Sequence, residues 1–166
     1  MPKDDKDWKS QVNPLSGSRR KPLDIQESEK AHLAKISKNY DNFDIKIDEN
    51  KTVYAKRADV SHTLLRELAS DRVPIDASVD LHGFTREEAR SRVICFVQHA
   101  RSAGYRTLLV IHGKGLHTQD GVGVLGEEVL DTLCRGEIAS WVLALTTAHR
   151  RWGGTGALVV KLTRKQ

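Results

Sequence analysis

Three short stretches of this chain carry residue types able to act on a phosphodiester. In Asp80-Leu81-His82-Gly83 a carboxylate and an imidazole are separated by one residue. In extended backbone the two side chains share a face, and the carboxylate can orient the ring or hold it charged. That arrangement suits general acid/base work. In His112-Gly113-Lys114-Gly115 a second imidazole is available for proton transfer. Lys114, flanked by glycines, can approach a phosphate as a point charge beside the backbone N–H groups of a glycine-permitted turn. In His149-Arg150-Arg151-Trp152-Gly153-Gly154 the arginines can hold backbone phosphates and the tryptophan can stack on a base. Gly153, Gly154 and Gly156 permit a tight turn and close backbone approach.

Plainer readings stand beside these. An Asp-x-His pair at a strand end commonly satisfies backbone donors in a turn, and Gly-Gly-x-Gly commonly leads into a strand. The His-Gly-Lys-Gly stretch lacks the spacing of a phosphate-binding Walker loop and of a dinucleotide fingerprint, which disfavours nucleotide hydrolysis. Asp80, His82 and His112 are a conceivable transition-metal set, but no short-range ligand pair such as His-x-x-x-His supports it, so no metal site is assigned. Cys95 and Cys134 fit helix faces as small apolar residues, with neither a Cys-x-x-Cys spacing nor an electropositive niche. His99 on a helix and His117 in a glycine-rich loop are read as structural or solvated.

Positioning these groups requires a sheet. Ala77 to Leu81 reads as a short strand. Thr85 with Glu88 is a capping-box pattern opening a helix whose face carries Ala89, Val93, Phe96, Val97 and Ala100, ended by Gly104. Thr107 to Ile111 is a continuous apolar strand. Leu125, Val129 and Leu133 stripe a second helix ended by Gly136. Ile138 to Leu145 and Gly156 to Leu162 are third and fourth strands. The order β-α-β-α-β-β predicts a two-layer α/β sandwich, its sheet mainly parallel with right-handed crossovers and one closing strand. The carboxyl ends of such strands share one edge, which brings the three stretches to a single rim.

Upstream, residues 1–22 carry few buriable groups and are expected to be disordered. Residues 23–75 form a charged extension, with a weak helix over Asp24 to Lys38, an alternating extended piece at Phe43, Ile45 and Ile47, and a linker helix at about 60–70 bounded by Pro74. The domain proper is read as 76–166. Lys and Arg exceed Asp and Glu by five over the whole chain, a balance that favours a polyanionic partner. Through residue 74, however, fifteen cations face thirteen carboxylates, which is no polybasic arm. Without a long apolar run or a signal-like N-terminus, the chain is expected to be soluble and cytoplasmic, with no membrane partner.

Val79-Asp80-Leu81-His82-Gly83, Ile111-His112-Gly113-Lys114-Gly115 and Trp152-Gly153-Gly154-Thr155-Gly156-Ala157-Leu158, in this order and spacing, resemble the Smr (small MutS-related) domain over about residues 76 to 163. The segment from Lys56 to Leu68 resembles the lead-in of stand-alone bacterial members. The resemblance implies a fold like the C-terminal domain of translation initiation factor three. It also implies nucleic-acid binding with endonuclease activity, either nicking DNA or cleaving messenger RNA on stalled ribosomes. The matching active-site positions are Asp80, His82, His112, Gly113, Lys114 and Gly115, with Gly153, Gly154 and Gly156 in the third loop.

The leading expectation is therefore an endonuclease that needs no nucleotide cofactor. Asp80, His82 and His112 would handle protons, and Lys114 would stabilise charge on the phosphate. Gly113, Gly115, Arg150, Arg151, Trp152, Gly153, Gly154 and Gly156 would contact nucleic acid. An RNA substrate supplies its own 2′-OH nucleophile and needs no metal; for DNA, water attacks and a divalent ion enters. Partners are RNA or DNA and, through the resemblance, the ribosome. The alternative is a non-catalytic module using the same cations as phosphate contacts alone.

Overall fold

The computed structural model describes residues 40, 42–114 and 124–165, together with the backbone of residues 12–13. Strands β1 (Val12–Asn13), β2 (Phe43–Ile47), β3 (Val53–Arg57), β4 (Ala77–Asp80), β5 (Thr107–Ile111), β6 (Val142–Thr147) and β7 (Ala157–Leu162) form one seven-stranded sheet. Its spatial order is β1-β4-β5-β7-β6-β3-β2. Three helices accompany it among the described residues: α1 (His62–Leu68), α2 (Arg86–Ser102) and α3 (Val124–Cys134). None of them is long and apolar enough to cross a membrane.

From β4 to β7 the element order is the predicted β-α-β-α-β-β, and the two layers are present. Val93, Phe96 and Val97 of α2 and Val129, Leu130 and Leu133 of α3 pack on Val79, Leu108, Val110, Leu145 and Val160. The opposite face takes a smaller cover, α1, whose Leu65 and Leu68 meet Leu109, Ala144 and Val159. The central strands are thus buried on both faces, which is why β5 reads as an unbroken apolar run.

The sheet is not mainly parallel. Only β4 and β5 pair in parallel; every other pairing is antiparallel. The cause is the short return from β6 to β7, which makes a hairpin and inserts β7 between β5 and β6. Because β5 and β6 are each antiparallel to β7, the two still run the same way as β4. Their carboxyl ends share an edge, so the expected rim forms by a different pairing.

The third strand also begins later than its apolar run suggests. Gly136, at φ 71°, turns the chain, Ile138 is helical in backbone and fully buried, and Ala139–Trp141 is a 3-10 turn before β6. Ile138 is apolar because it plugs the core from a turn. In the extension, the piece around Phe43 is one arm of a β2–β3 hairpin whose second arm joins β6, with Tyr54 opposite Thr146 and Lys56 opposite Ala144. The β3 arm alternates core-facing Val53 and Ala55 with polar Tyr54 and Lys56. Helix α1 falls within the predicted linker helix. The expected disordered tail and weak helix lie outside the described residues, apart from Val12–Asn13, which pair with Val79 and Ser78.

Helix α2 starts on a full capping box: Glu88 N–H donates to Thr85 Oγ1 at 3.2 Å, and Thr85 N–H to Glu88 Oε2 at 2.9 Å. Thr85→Ala is expected to cost about 1 kcal/mol in urea denaturation, with Thr85→Ser recovering most of it. An unchanged midpoint for the alanine variant would show that the box contributes nothing.

Candidate active site

Asp80 ends β4 and Leu81 continues the ladder, its N–H donating to Ile111 O at 2.7 Å. Leu81 is fully buried, so Asp80 and His82 on either side of it are turned the other way, toward the rim. Asp80 Oδ1 lies 2.7 Å from His82 Nδ1 and also accepts from His82 N–H at 3.1 Å. An ionised carboxylate can only accept, so Nδ1 carries the hydrogen, and in the neutral ring Nε2 is then the acceptor. The His82 side chain is 77% exposed while that of Asp80 is 19% exposed. The pair is a surface imidazole oriented from beneath by a sheltered carboxylate.

Gly83, at φ 80°, then turns the chain toward the α2 cap, and Phe84 N–H closes the turn on Leu81 O. The second loop leaves β5 in a different manner. His112 N–H and Gly113 N–H both donate to Gly156 O, at 2.9 and 3.0 Å. Gly113 adopts φ 80°, and a Cβ there would lie 3.8 Å from His82 Cβ, so the first and second loops abut at this point. A Cβ on Gly156 would lie 3.1 Å from Lys114 Cγ, so the third loop abuts the second. The structure thus brings Asp80, His82, Gly113, Lys114 and Gly156 together.

His112 is placed differently from His82. Its ring is below the surface at 8% exposure, with Nδ1–H donating to Gly113 O at 2.8 Å. Burial pushes this imidazole down to about 4, against a weaker opposing effect of the Gly113 carbonyl. It is neutral at pH 7 and shields the loop from within, so it is not a second exposed proton carrier. Gly126, in the first turns of α3, lies against it: a Cβ there would sit 2.9 Å from His112 Cε1. Sequence reasoning missed Gly126, although an isolated glycine inside an apolar helical stripe signals close packing.

The third loop is self-capped. His149 Nδ1 accepts from Arg151 N–H at 3.2 Å, and His149 O accepts from Trp152 N–H at 2.7 Å and from Gly154 N–H at 3.2 Å. Gly153 and Gly154 take φ 120° and 56°, which accounts for the glycine pair. Arg150 is exposed beside the rim. Arg151 lies over the Trp152 ring at 5.1 Å and reaches Asp71 O at 3.4 Å. Trp152 is half-buried against the α1-side apolar cluster and Arg151 lies over its ring, so the ring is not held out as a free stacking platform. Gly115 and His117 lie outside the described residues. Among the described residues no three His, Cys, Asp or Glu side chains form a metal-ligand cluster, so Asp80, His82 and His112 do not converge as one. His99 is exposed on α2, and Cys95 and Cys134 are free thiols on helices, Cys134 being buried.

Two outcomes test the buried imidazole. A fall from 6.5 to about 4 means the unfolded chain binds the extra proton, so stability is lost as pH drops through that range, by up to about 3 kcal/mol. His112→Gln is expected to flatten the acid side of the stability curve between pH 7 and pH 4 relative to the native chain, read by urea denaturation; parallel curves would refute the burial argument. Gly126→Ala, which forces a Cβ into the ring, is expected to cost about 1–3 kcal/mol. A neutral result would mean the helix does not lean on His112.

The family model described as Smr domain matches residues 79–163. The chain is 32% identical over 115 residues to the Escherichia coli K12 protein named probable DNA endonuclease SmrA, covering 66% of this chain and 57% of that protein. It is 27% identical over 127 residues to the ribosome rescue factor SmrB of Tolumonas auensis, covering 72% and 64%. The match therefore spans less than two thirds of either relative. The crystal structure of YdaL, a stand-alone small MutS-related protein from Escherichia coli, superposes with a TM-score of 0.56 at 33% identity, covering 68% of this chain and 82% of that one. With the three loops assembled at one rim on the fold of that structure, the chain belongs to the Smr family.

Proposed function

We propose that this chain is an endonuclease whose base is His82, and that its best-suited substrate is RNA. The observation that carries this reading is the Asp80–His82 pair: one nitrogen is fixed by a carboxylate at 2.7 Å, and the other belongs to a ring 77% exposed. Nε2 takes the proton of the 2′-OH, and the 2′-oxygen attacks phosphorus. The bond from phosphorus to the 5′-oxygen breaks, and the leaving oxygen takes a proton from solvent. Asp80 stabilises the imidazolium formed. The products are a 2′,3′-cyclic phosphate and a 5′-hydroxyl. Lys114 and the Gly113 turn meet the charge that builds on the phosphoryl oxygens. His112 acts through them as a positioning residue, shaping the turn from inside.

A single exposed imidazole suffices for RNA because the nucleophile is already in the substrate. On DNA, water must be activated, and a divalent ion would assist it. The SmrB relative's name, ribosome rescue factor, supports RNA at the ribosome as the substrate. The SmrA relative's name, probable DNA endonuclease, supports DNA as the competing substrate. A second reading, a module that binds without cutting, is favoured by the burial of His112, which removes one of the two imidazoles expected to carry protons and leaves Lys114, Arg150 and Arg151 as phosphate contacts.

The test is cleavage of labelled RNA and of supercoiled, nicked and branched DNA, with and without chelator, followed by end-group analysis. The native chain is expected to release cyclic-phosphate ends from RNA in chelator. His82→Ala is expected to lower the rate by at least about a hundredfold while leaving binding and melting temperature in place. Cleavage unchanged in that variant removes His82 from the chemistry. Steeply salt-dependent binding with no cutting of any substrate selects the binding module.

A further inference from the structure

The extension builds a groove that the rim does not use. It lies between the β2–β3 hairpin and α1, on the sheet face opposite α2 and α3, with a volume of about 450 Å³, within the range of small-ligand sites. Lys46 and Tyr54 are cross-strand partners, as are Asp44 and Lys56, so the hairpin turns all four toward this face. His62 and Arg66 line the facing side from α1, one turn apart, with Leu65 as the apolar floor. Lys56 is only 8% exposed, its stem packed in the groove wall. Tyr54 is half-buried, its hydroxyl donating to Asp48 Oδ2 at 3.4 Å, which holds the ring along the wall.

The charge is one-sided. Lys46, Lys56 and Arg66 face Asp44 alone, and among the described residues no carboxylate forms an ion pair with any of the three cations. Cations around an aromatic ring and an apolar floor are what a single-stranded nucleic acid recognises, phosphates on the former and a base on the latter. Location favours the same ligand. Tyr54 pairs with Thr146, next to the end of β6, and β6 ends at the edge that carries the three site loops. From β4 to β3 is four strand steps, about 19 Å at the usual spacing, or roughly six stacked nucleotides at ~3.4 Å each.

We infer that this groove is a distal subsite for single-stranded RNA or DNA, holding the strand about six nucleotides from the linkage at Asp80 and His82. The inference rests on the rim being where a nucleic acid is cut, and the experiment separates the two. Fluorescent single-stranded probes of about four and about twelve nucleotides are titrated by anisotropy against the full chain carrying His82→Ala, with and without K46Q/R66Q. Both substituted positions are exposed, and circular dichroism checks the fold.

The double variant is expected to weaken the long probe about tenfold and lower its salt slope by roughly 1.4, leaving the short probe unchanged. Tyr54→Leu is expected to weaken the long probe several-fold without altering the salt slope. Equal losses on both lengths, or none on either, overturn the subsite. An unchanged long probe together with faster hydrogen exchange in residues 14–39 would assign the groove to the chain's own acidic stretch at Asp24, Glu27 and Glu29, which also overturns it. Length-dependent loss in a protein that cuts nothing keeps the subsite and discards the nuclease. Cutting of long and short RNA by the native chain, unaffected by K46Q/R66Q, does the reverse.

Discussion

The site depends on one carbonyl. Gly156 O receives the N–H groups of both His112 and Gly113, which ties the end of β5 to the loop entering β7. Two donors on one acceptor fix the direction in which the second loop leaves the sheet. That direction sets Gly113 against His82 on one side and Lys114 against Gly156 on the other. A side chain at Gly156 would intrude on the same place, 3.1 Å from Lys114 Cγ. The glycines of the second and third loops are therefore one packing solution, in which two backbones approach more closely than side chains allow.

The same closeness explains the division of labour between the imidazoles. His82 stands beyond a buried leucine at a strand end, where the next residue turns away and water reaches the ring. His112 is drawn under its loop by the Gly156 carbonyl and capped by α3 at a glycine, which leaves it neutral with its Nδ1–H spent on Gly113. One ring is oriented by a carboxylate and left accessible; the other is kept uncharged by exclusion of water. An alternating pattern of histidine and glycine looks alike in both loops, and only the packing around each separates the roles.

What the sequence made legible followed from short-range physics. The capping box, the terminating Gly104, the α2 face and the fully apolar β5 are local patterns, and each is where it was expected. Strand pairing was less legible, because nothing in the residues of β7 says that it inserts between β5 and β6 instead of closing an edge. The shared rim survived that error because it requires only a common direction for β4, β5 and β6. Within the site, the Asp80–His82 contact could be read from a spacing of two in extended backbone. The burial of His112 and the half-burial of Trp152 could not, since both depend on elements distant in sequence, α3 for one and α1 for the other.

Charge in the extension shows the same limit from the other side. Fifteen cations against thirteen carboxylates through residue 74 describe a nearly balanced segment, and a balanced segment gives no reason to expect a polyanion. Among the described residues, folding places these charges by face. The period of two along β2 and β3 sends Phe43, Ile45, Val53 and Ala55 to the core side and Asp44, Lys46, Tyr54 and Lys56 to the other, and one helical turn of α1 adds His62 and Arg66 opposite them. Asp48 is engaged in the hairpin turn through Oδ1 and with the Tyr54 hydroxyl through Oδ2, and Asp59 pairs with Arg57. Net charge is a property of composition, whereas the field that a phosphate meets belongs to a surface, and here the two diverge because Lys46, Lys56 and Arg66 meet on one groove with Asp44 as the single carboxylate lining it.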